Sequence, residues 1–440
     1  MIKSYIKNYR WIIVALLFFG TVINYLDRQI IGLLKPSLEV EFNWTETDFG
    51  MIMSAFSFAY AIGLLLSGRF IDKVGTKIGY SVSVIIWSFA GMFHAIAKSV
   101  FGFSIARLLL GLGESGNFPA AMKAVSEWFP KKERALATGI FNSGTSIGVV
   151  VALIIVPVIM QHAGWQEVFW ITGALGFTWL ILWLILYQIP AKQKRLSPKE
   201  FAYISNGQEI SSGQFKNSKA ISWFKLFSFP QTWAFVTGKF LIDPIFWFFL
   251  FWLPSYFSST FNLDLTKISL ELMIIYGATT IGSIAGGYFS SWLINRGWQT
   301  IKARKAVLLL FALLELVIMI AIAQLVKDKW VAVGLISTAV ALHQAWATNI
   351  FTMASDMFPK EVVSSVVGIG GMAGAVGGIL FPLLVGYLLD IYKANNNLSG
   401  GYNLIFSICG VTYLFAWIII HFLTKKSDKN LAMEKKLSFS

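Results

Sequence analysis

Seven ionisable side chains stand inside stretches otherwise built of hydrocarbon. Asp27 and Arg28 follow the run WIIVALLFFGTVI, Arg107 and Glu114 flank LLLGLG, Lys239 and Asp243 sit in GKFLIDPIFWFFLFWLP, and Glu315 lies in LLLFALLELVIMIAIA. At the centre of a bilayer each such charge costs roughly 2.5 to 3.5 kcal/mol on insertion scales, so it faces a cavity or a partner. A guanidinium in a dry cavity attracts a carboxylate, with which it forms two parallel charge-assisted hydrogen bonds. Carboxylates in the same surroundings can load and release protons. The chemistry implied is capture of an anion coupled to proton movement, with no bond in the ligand changed.

Helical geometry sorts these groups. Arg107 and Glu114 are seven residues apart, two turns along one face, and can point into the same bundle interior. Asp27 and Arg28 are about 100° apart around their helix and cannot share one direction. Arg107 is then the expected partner of Asp27, which leaves Arg28 free for a ligand. The competing reading is a buried ion network that only locks helices together. Glu315 has no evident partner in the sequence and reads as structural.

The elements that must carry these residues are membrane helices. Of 440 residues, 56% are hydrophobic and 13% charged, with 38 Phe and 17 Trp, far more apolar than ordinary soluble domains. Apolar runs long enough to span a bilayer recur at 11–33, 49–71, 78–97, 99–122, 136–160, 165–188, 231–259, 268–293, 304–325, 329–353, 363–389 and 402–423, which makes twelve spans and an all-α membrane protein. The net charge of +14 follows topology and does not indicate a nucleic-acid partner. Of 36 Lys and Arg, only Lys35, Lys98, Lys267, Lys327, Lys329 and Lys393 fall on the loops opposite the termini, which predicts cytoplasmic termini. The basic loops can also engage anionic lipid. Lys3, Lys7 and Arg10 precede the first run as in a signal peptide, but the run is too long and lacks a small-residue cleavage site, so it is expected to stay as a span. The lone Cys409 excludes a disulfide within the chain and a cysteine metal site, and neither a metal nor a cofactor is expected. No histidine-rich site, nucleophile elbow or phosphate loop supports an enzyme.

The chain repeats itself. SEWFPKKERALATGIFNSGTSIG from Ser126 is echoed 229 residues later by SDMFPKEVVSSVVGIGGMAGAVG from Ser355, and GRFIDKVGTKIG from Gly68 more loosely by GYFSSWLINRGWQTIKARK from Gly287. A duplicated six-helix unit, a plan of many secondary transporters, accounts for both echoes. The expected domains are 1–188, a first bundle; 189–230, a polar cytoplasmic linker; 231–424, a second bundle; and 425–440, a cytoplasmic tail.

GRFIDKVGTKIG resembles the loop motif of the major facilitator superfamily, with Gly68, Asp72, Lys73, Gly75 and Lys77 at matching positions and Lys73 in place of the usual arginine. The resemblance implies two pseudo-symmetric six-helix bundles and a cytoplasmic latch in which glycine allows close helix packing and Asp72 meets basic partners. NYLDR, Tyr60 and RLLLGLGESGNFPAAMKAVSEWFPKKERALATGIFNSGTSIG from Arg107 are similar to the anion:cation symporter branch. There the arginine at the position of Arg28 binds substrate carboxylate, the carboxylates at Asp27 and Glu114 couple protons with Arg107 beside them, and Tyr25 and Tyr60 line the cavity. WQEVFWITGALGFTWLILWLILY, GKFLIDPIFWFFLFWLP and HQAWATNIFTMASDMFPKEV look like bacterial hexuronate carriers, whose seventh span carries a basic and an acidic residue as Lys239 and Asp243 do. Some of those carriers lack an aspartate at the position of Asp27.

The resemblance implies a monomeric, proton-coupled importer of glucuronate or galacturonate in a bacterial inner membrane, working by alternating access. Sugar hydroxyls need small polar groups and an aromatic platform. Asn142, Ser143 and Thr145 in the fifth span and His343, Gln344, Trp346 and Asn349 in the tenth are candidates, although Ser and Thr also settle helix packing in membranes. The glycines of GIGGMAGAVGG from Gly368 read as a close-packing device. The alternatives are a symporter of another organic anion, such as galactonate, glucarate, tartrate or phthalate, and a non-transporting sensor. The second is disfavoured because the linker is too short to hold a signalling domain.

Overall fold

The computed structural model describes residues 5–44, 46–206, 223–261 and 270–425; Lys267, the 207–222 part of the linker and the tail from 426 lie outside the described residues. Apart from an isolated bridge between Ile6 and Leu196, everything regular among the described residues is helical. In chain order the helices are α1 (Tyr9–Phe42), α2 (Glu46–Val74), α3 (Thr76–Phe93), α4 (Val100–Glu114), α5 (Asn117–Trp128), α6 (Lys131–Ala163), α7 (Trp165–Leu186), α8 (Pro198–Asn206), α9 (Trp223–Leu226), α10 (Pro230–Phe261), α11 (Leu270–Asn295), α12 (Thr300–Leu325), α13 (Lys329–Met357), α14 (Val363–Ala394) and α15 (Leu398–Leu423).

Ten of these helices are long and apolar enough to cross a membrane, among the described residues. The two other expected spans are helical as well, 231–259 within α10 and 99–122 across α4 and α5. The second is a correction: the expected continuous helix breaks at Ser115–Gly116. Pro119 has no N–H to donate to the Ser115 carbonyl, and that carbonyl instead accepts from Ser67 Oγ of α2 at 3.2 Å. The break leaves Glu114 as the last residue of α4, fully buried. Helix α1 also runs nine residues past its expected end, because Leu34 and Leu38 keep its inner face apolar.

The chain groups into two compact units, Met1–Lys216 with Phe358–Met372, and Asn217–Met357 with Ala373–Ser440. Helix pairing repeats between them. Helix α2 packs on α4, α3 on α4 and α7, and α1 on α7; in the second unit α11 packs on α13, α12 on α13 and α15, and α10 on α15. Gly75 and Gly297, in the equivalent loops, both take the positive φ that favours glycine, 90° and 93°. The α11–α13 contact depends on missing side chains: a Cβ on Gly282 or Gly286 would lie 2.0 Å from the Ala341 carbonyl oxygen or 2.4 Å from Ala345 Cα. Small residues let helix backbones meet where lipid supplies no hydrophobic drive for association.

The first part of the linker is folded onto the first unit. Arg10, at the start of α1, pairs with Glu133 of α6 and with Glu200 of α8, both at 2.9 Å, and Glu200 also accepts from the Tyr9 backbone N–H at 2.9 Å. A segment expected only to be polar thus begins as an anchored helix.

Candidate functional site

In the first unit α1 and α4 bring four charges together, with rings of α2 packed against them. Arg28 Nε donates to Glu114 Oε2 at 2.9 Å, and Nη2 lies 2.9 Å from the same oxygen without the alignment of a hydrogen bond. Glu114 Oε1 is buried with no hydrogen-bond partner. The pair therefore uses one carboxylate oxygen where a full fork would use two. Three rings surround the guanidinium, with centroids 4.6 Å away for Tyr60, 4.7 Å for Tyr25 and 5.0 Å for Phe56. The Arg28 side chain keeps 13% of its surface open while Glu114 keeps none.

The pairing differs from the expected one. Arg107 does not meet Asp27: its Nη2 donates to the Arg28 backbone carbonyl at 3.3 Å and contacts Met53 sulfur at 3.4 Å, and its guanidinium lies 5.0 Å from the centre of the Phe56 ring. Arg28 is not free but held by Glu114. Both Asp27 oxygens are buried without a hydrogen bond of normal geometry, on a side of α1 neighbouring Thr172 of α7. Spacing along a helix gives relative directions but not which neighbour lies along each, and here the residue two turns beyond Arg107 took the arginine. Taken together, two cations and two carboxylates share this interior with a single ion pair among them, an arrangement in which partners can be exchanged.

Sequence reasoning passed over three residues here. Asn24 is one turn before Arg28, and both its side-chain polar atoms are buried without partners; an amide in an apolar run, four residues from Arg28, was the available signal. Phe56 touches both arginines. Lys123 of α5 pairs with Asp72 at 2.8 Å. Asp72 also accepts backbone N–H bonds from Ser364 at 3.3 Å and Ser365 at 2.6 Å, in the first turn of α14, where an anion complements the unpaired amides and the helix dipole. Gly68 lies against the same turn; a Cβ there would come within 2.4 Å of the Ser364 carbonyl oxygen. Lys73 is exposed, and Gly75 starts α3. Asn142 and Thr145 are buried in α6.

The second unit holds a different polar interior. Lys239 and Asp243 pair at 2.6 Å, one turn apart on α10, with the ammonium 3.9 Å from the Phe351 ring centre. His343 Nδ1 lies 2.6 Å from the Tyr413 hydroxyl, and its ring stacks on Phe246. Trp346 is fully buried, edge-on to Tyr413. Asn349 donates to the Gly286 carbonyl at 2.9 Å and the Ala345 carbonyl at 2.8 Å, bridging α13 to α11, and Gln344 is also buried on α13. A further fully buried pair, Arg304 with Asp356 at 3.1 Å, ties α12 to α13. No group of His, Cys, Asp and Glu able to hold a metal ion occurs among the described residues.

The profile of the Major Facilitator Superfamily matches residues 17–382. The hexuronate transporter of Escherichia coli (strain K12) is 34% identical over 420 residues, covering 94% of each chain. The galacturonate transporter of Dickeya chrysanthemi is 36% identical over 312 residues, 70% of this chain and 90% of that one. The solved structure of the proton:xylose symporter XylE bound to 6-bromo-6-deoxy-D-glucose shares the fold, with a TM-score of 0.74 at 14% identity over 94% of this chain and 95% of that one. This protein belongs to the Major Facilitator Superfamily, and is a multi-pass membrane transporter rather than an enzyme.

Proposed function

We propose that this transporter is a proton-coupled symporter that imports a sugar acid, with glucuronate or galacturonate as the substrate, across a bacterial inner membrane in which both termini are cytoplasmic. The relatives named above supply the substrate class. The observation that carries the reading is the Arg28–Glu114 pair, in which one carboxylate oxygen is engaged and the other is not.

A proton on Glu114 removes the charge that holds Arg28. The guanidinium, kept in place by the rings of Tyr25 and Tyr60, then offers its fork to a substrate carboxylate, which replaces one bond to a single oxygen by two parallel bonds. Without that proton, Glu114 competes for the same cation. Proton and sugar acid therefore each favour the other's binding, which is the linkage a symporter needs. Asp27 is a second proton carrier within the same interior, and Arg107 keeps the local charge balanced. Asn142 and Thr145 within the first unit, and His343, Gln344, Trp346 and Asn349 within the second, serve hydroxyl recognition, and the second unit also carries the Lys239–Asp243 pair. Asp72 with Gly68, Lys73 and Gly75 forms the cytoplasmic gate, where Lys123 and the first turn of α14 hold the acidic residue. The protein acts as a monomer, with the linker beyond α8 joining bundles 1–188 and 231–424.

The test is transport into proteoliposomes of purified protein. Labelled glucuronate should accumulate when a pH gradient is imposed, and galacturonate should compete with it better than galactonate, glucarate or tartrate. The Glu114→Gln variant should still exchange labelled for unlabelled substrate but no longer accumulate it. Accumulation by Glu114→Gln equal to wild type would remove Glu114 from coupling, and preference for an aldarate or aldonate would reassign the substrate.

A further inference from the structure

Glu315 has no counterpart to Arg28. It is fully buried in α12, and neither carboxyl oxygen has a hydrogen bond of normal geometry. The titratable and charged groups facing it are Tyr413 and Cys409 of α15, followed through Tyr413 by His343 of α13 and by Lys239 and Asp243 of α10. The backbone of α15 approaches α12 closely here, since a Cβ on Gly410 would lie 2.9 Å from Met319 Cβ and 3.3 Å from Leu316 Cα. A solitary ionised carboxylate in such surroundings is costly, and a bound proton offsets that cost. Trp346 Nε1, beside the same tyrosine, is a second buried polar atom without a partner. Two buried polar groups left unsatisfied near one tyrosine call for an explanation beyond helix packing.

We propose that Glu315 is a proton-binding site of the second unit, exchanging its proton with His343 through the Tyr413 hydroxyl. The step balances as a relay. Glu315 gives its proton to Tyr413 Oη as Tyr413 gives its own to His343 Nδ1, leaving the tyrosine neutral, a carboxylate at Glu315 and an imidazolium at His343. The 2.6 Å approach of Tyr413 to His343 forms half of that path, and the Tyr413–Glu315 neighbourhood the other half. The proposal rests on the proton-coupled reading and adds to it a site that sequence reasoning treated as structural.

Infrared difference spectroscopy on the purified full-length protein tests it. A pH jump without substrate should produce a carboxyl C=O band that moves in heavy water, is absent in Glu315→Gln, shifts in Tyr413→Phe and returns, displaced, in Glu315→Asp. Wild-type and Glu315→Gln spectra that coincide would overturn the proposal. This arm needs no substrate, so it stands even if the sugar acid has been misassigned. In proteoliposomes, Glu315→Gln should move about one proton fewer per substrate while exchanging labelled substrate within about twofold of wild type. That retained exchange also shows the variant is folded. An unchanged proton-to-substrate ratio would remove the site from the transport cycle.

Discussion

The polar interiors of the two units solve the same problem in opposite ways. In the first, two arginines and two carboxylates share a space with one ion pair made, so the charges balance while most of their bonding capacity stays unused. In the second, Lys239–Asp243 and Arg304–Asp356 are closed pairs, and Glu315, also buried, has no cation beside it. Balanced but unpaired charge suits exchange of an ionic partner; closed pairs suit a scaffold, with proton binding left to the isolated acid. The repeat that generated both units preserved their helix pairing and not their charges.

This contrast can be broken by substitution. The largest effect should come from Arg28→Ala, which removes the cation held by Glu114: affinity for the sugar acid should fall at least about 100-fold by direct binding measurement. If that variant binds normally, the anchor lies elsewhere and the contrast fails. Lys239→Met should act on stability instead, because it strands Asp243. A loss of roughly 2 to 3 kcal/mol, near the low end for a broken buried pair since the Asp243 side chain is 23% exposed, should appear as a lowered thermal midpoint. A variant as stable as wild type would show that the second pair is not structural. Tyr60→Phe sharpens the picture with the smallest effect. The ring over Arg28 remains and only a hydroxyl is lost, so affinity should weaken about 3- to 10-fold. A loss as large as that of Arg28→Ala would make the hydroxyl, and not the guanidinium, the main contact.

Much of the fold could be read from the chain because the bilayer demands long apolar runs, and eleven of the expected spans coincide with single helices. The exception, the break at Ser115–Gly116, was signalled by Pro119 but masked by the apolar composition around it. The members of the candidate site were also legible, since ionisable residues in such runs are rare. Their partners were not. Whether Arg28 meets Glu114 or Arg107 meets Asp27 depends on the rotation of α1 against α4, which no spacing within either helix specifies. Lys123 escaped notice for the same reason: its partner, Asp72, is 51 residues away, and within AAMKAV it looks like an isolated charge. Glu315 was read as structural because Tyr413 and His343 lie 98 and 28 residues further along the chain.

The central claim is that substrate takes Arg28 from Glu114 only when Glu114 carries a proton. Calorimetric titration of purified protein with glucuronate, repeated in buffers of different ionisation heat, counts the protons taken up on binding. Wild type should take up about one more proton than Glu114→Gln, and its affinity should fall more steeply as pH rises than that of Glu114→Gln. Equal proton uptake and parallel pH profiles in the two proteins would contradict the account.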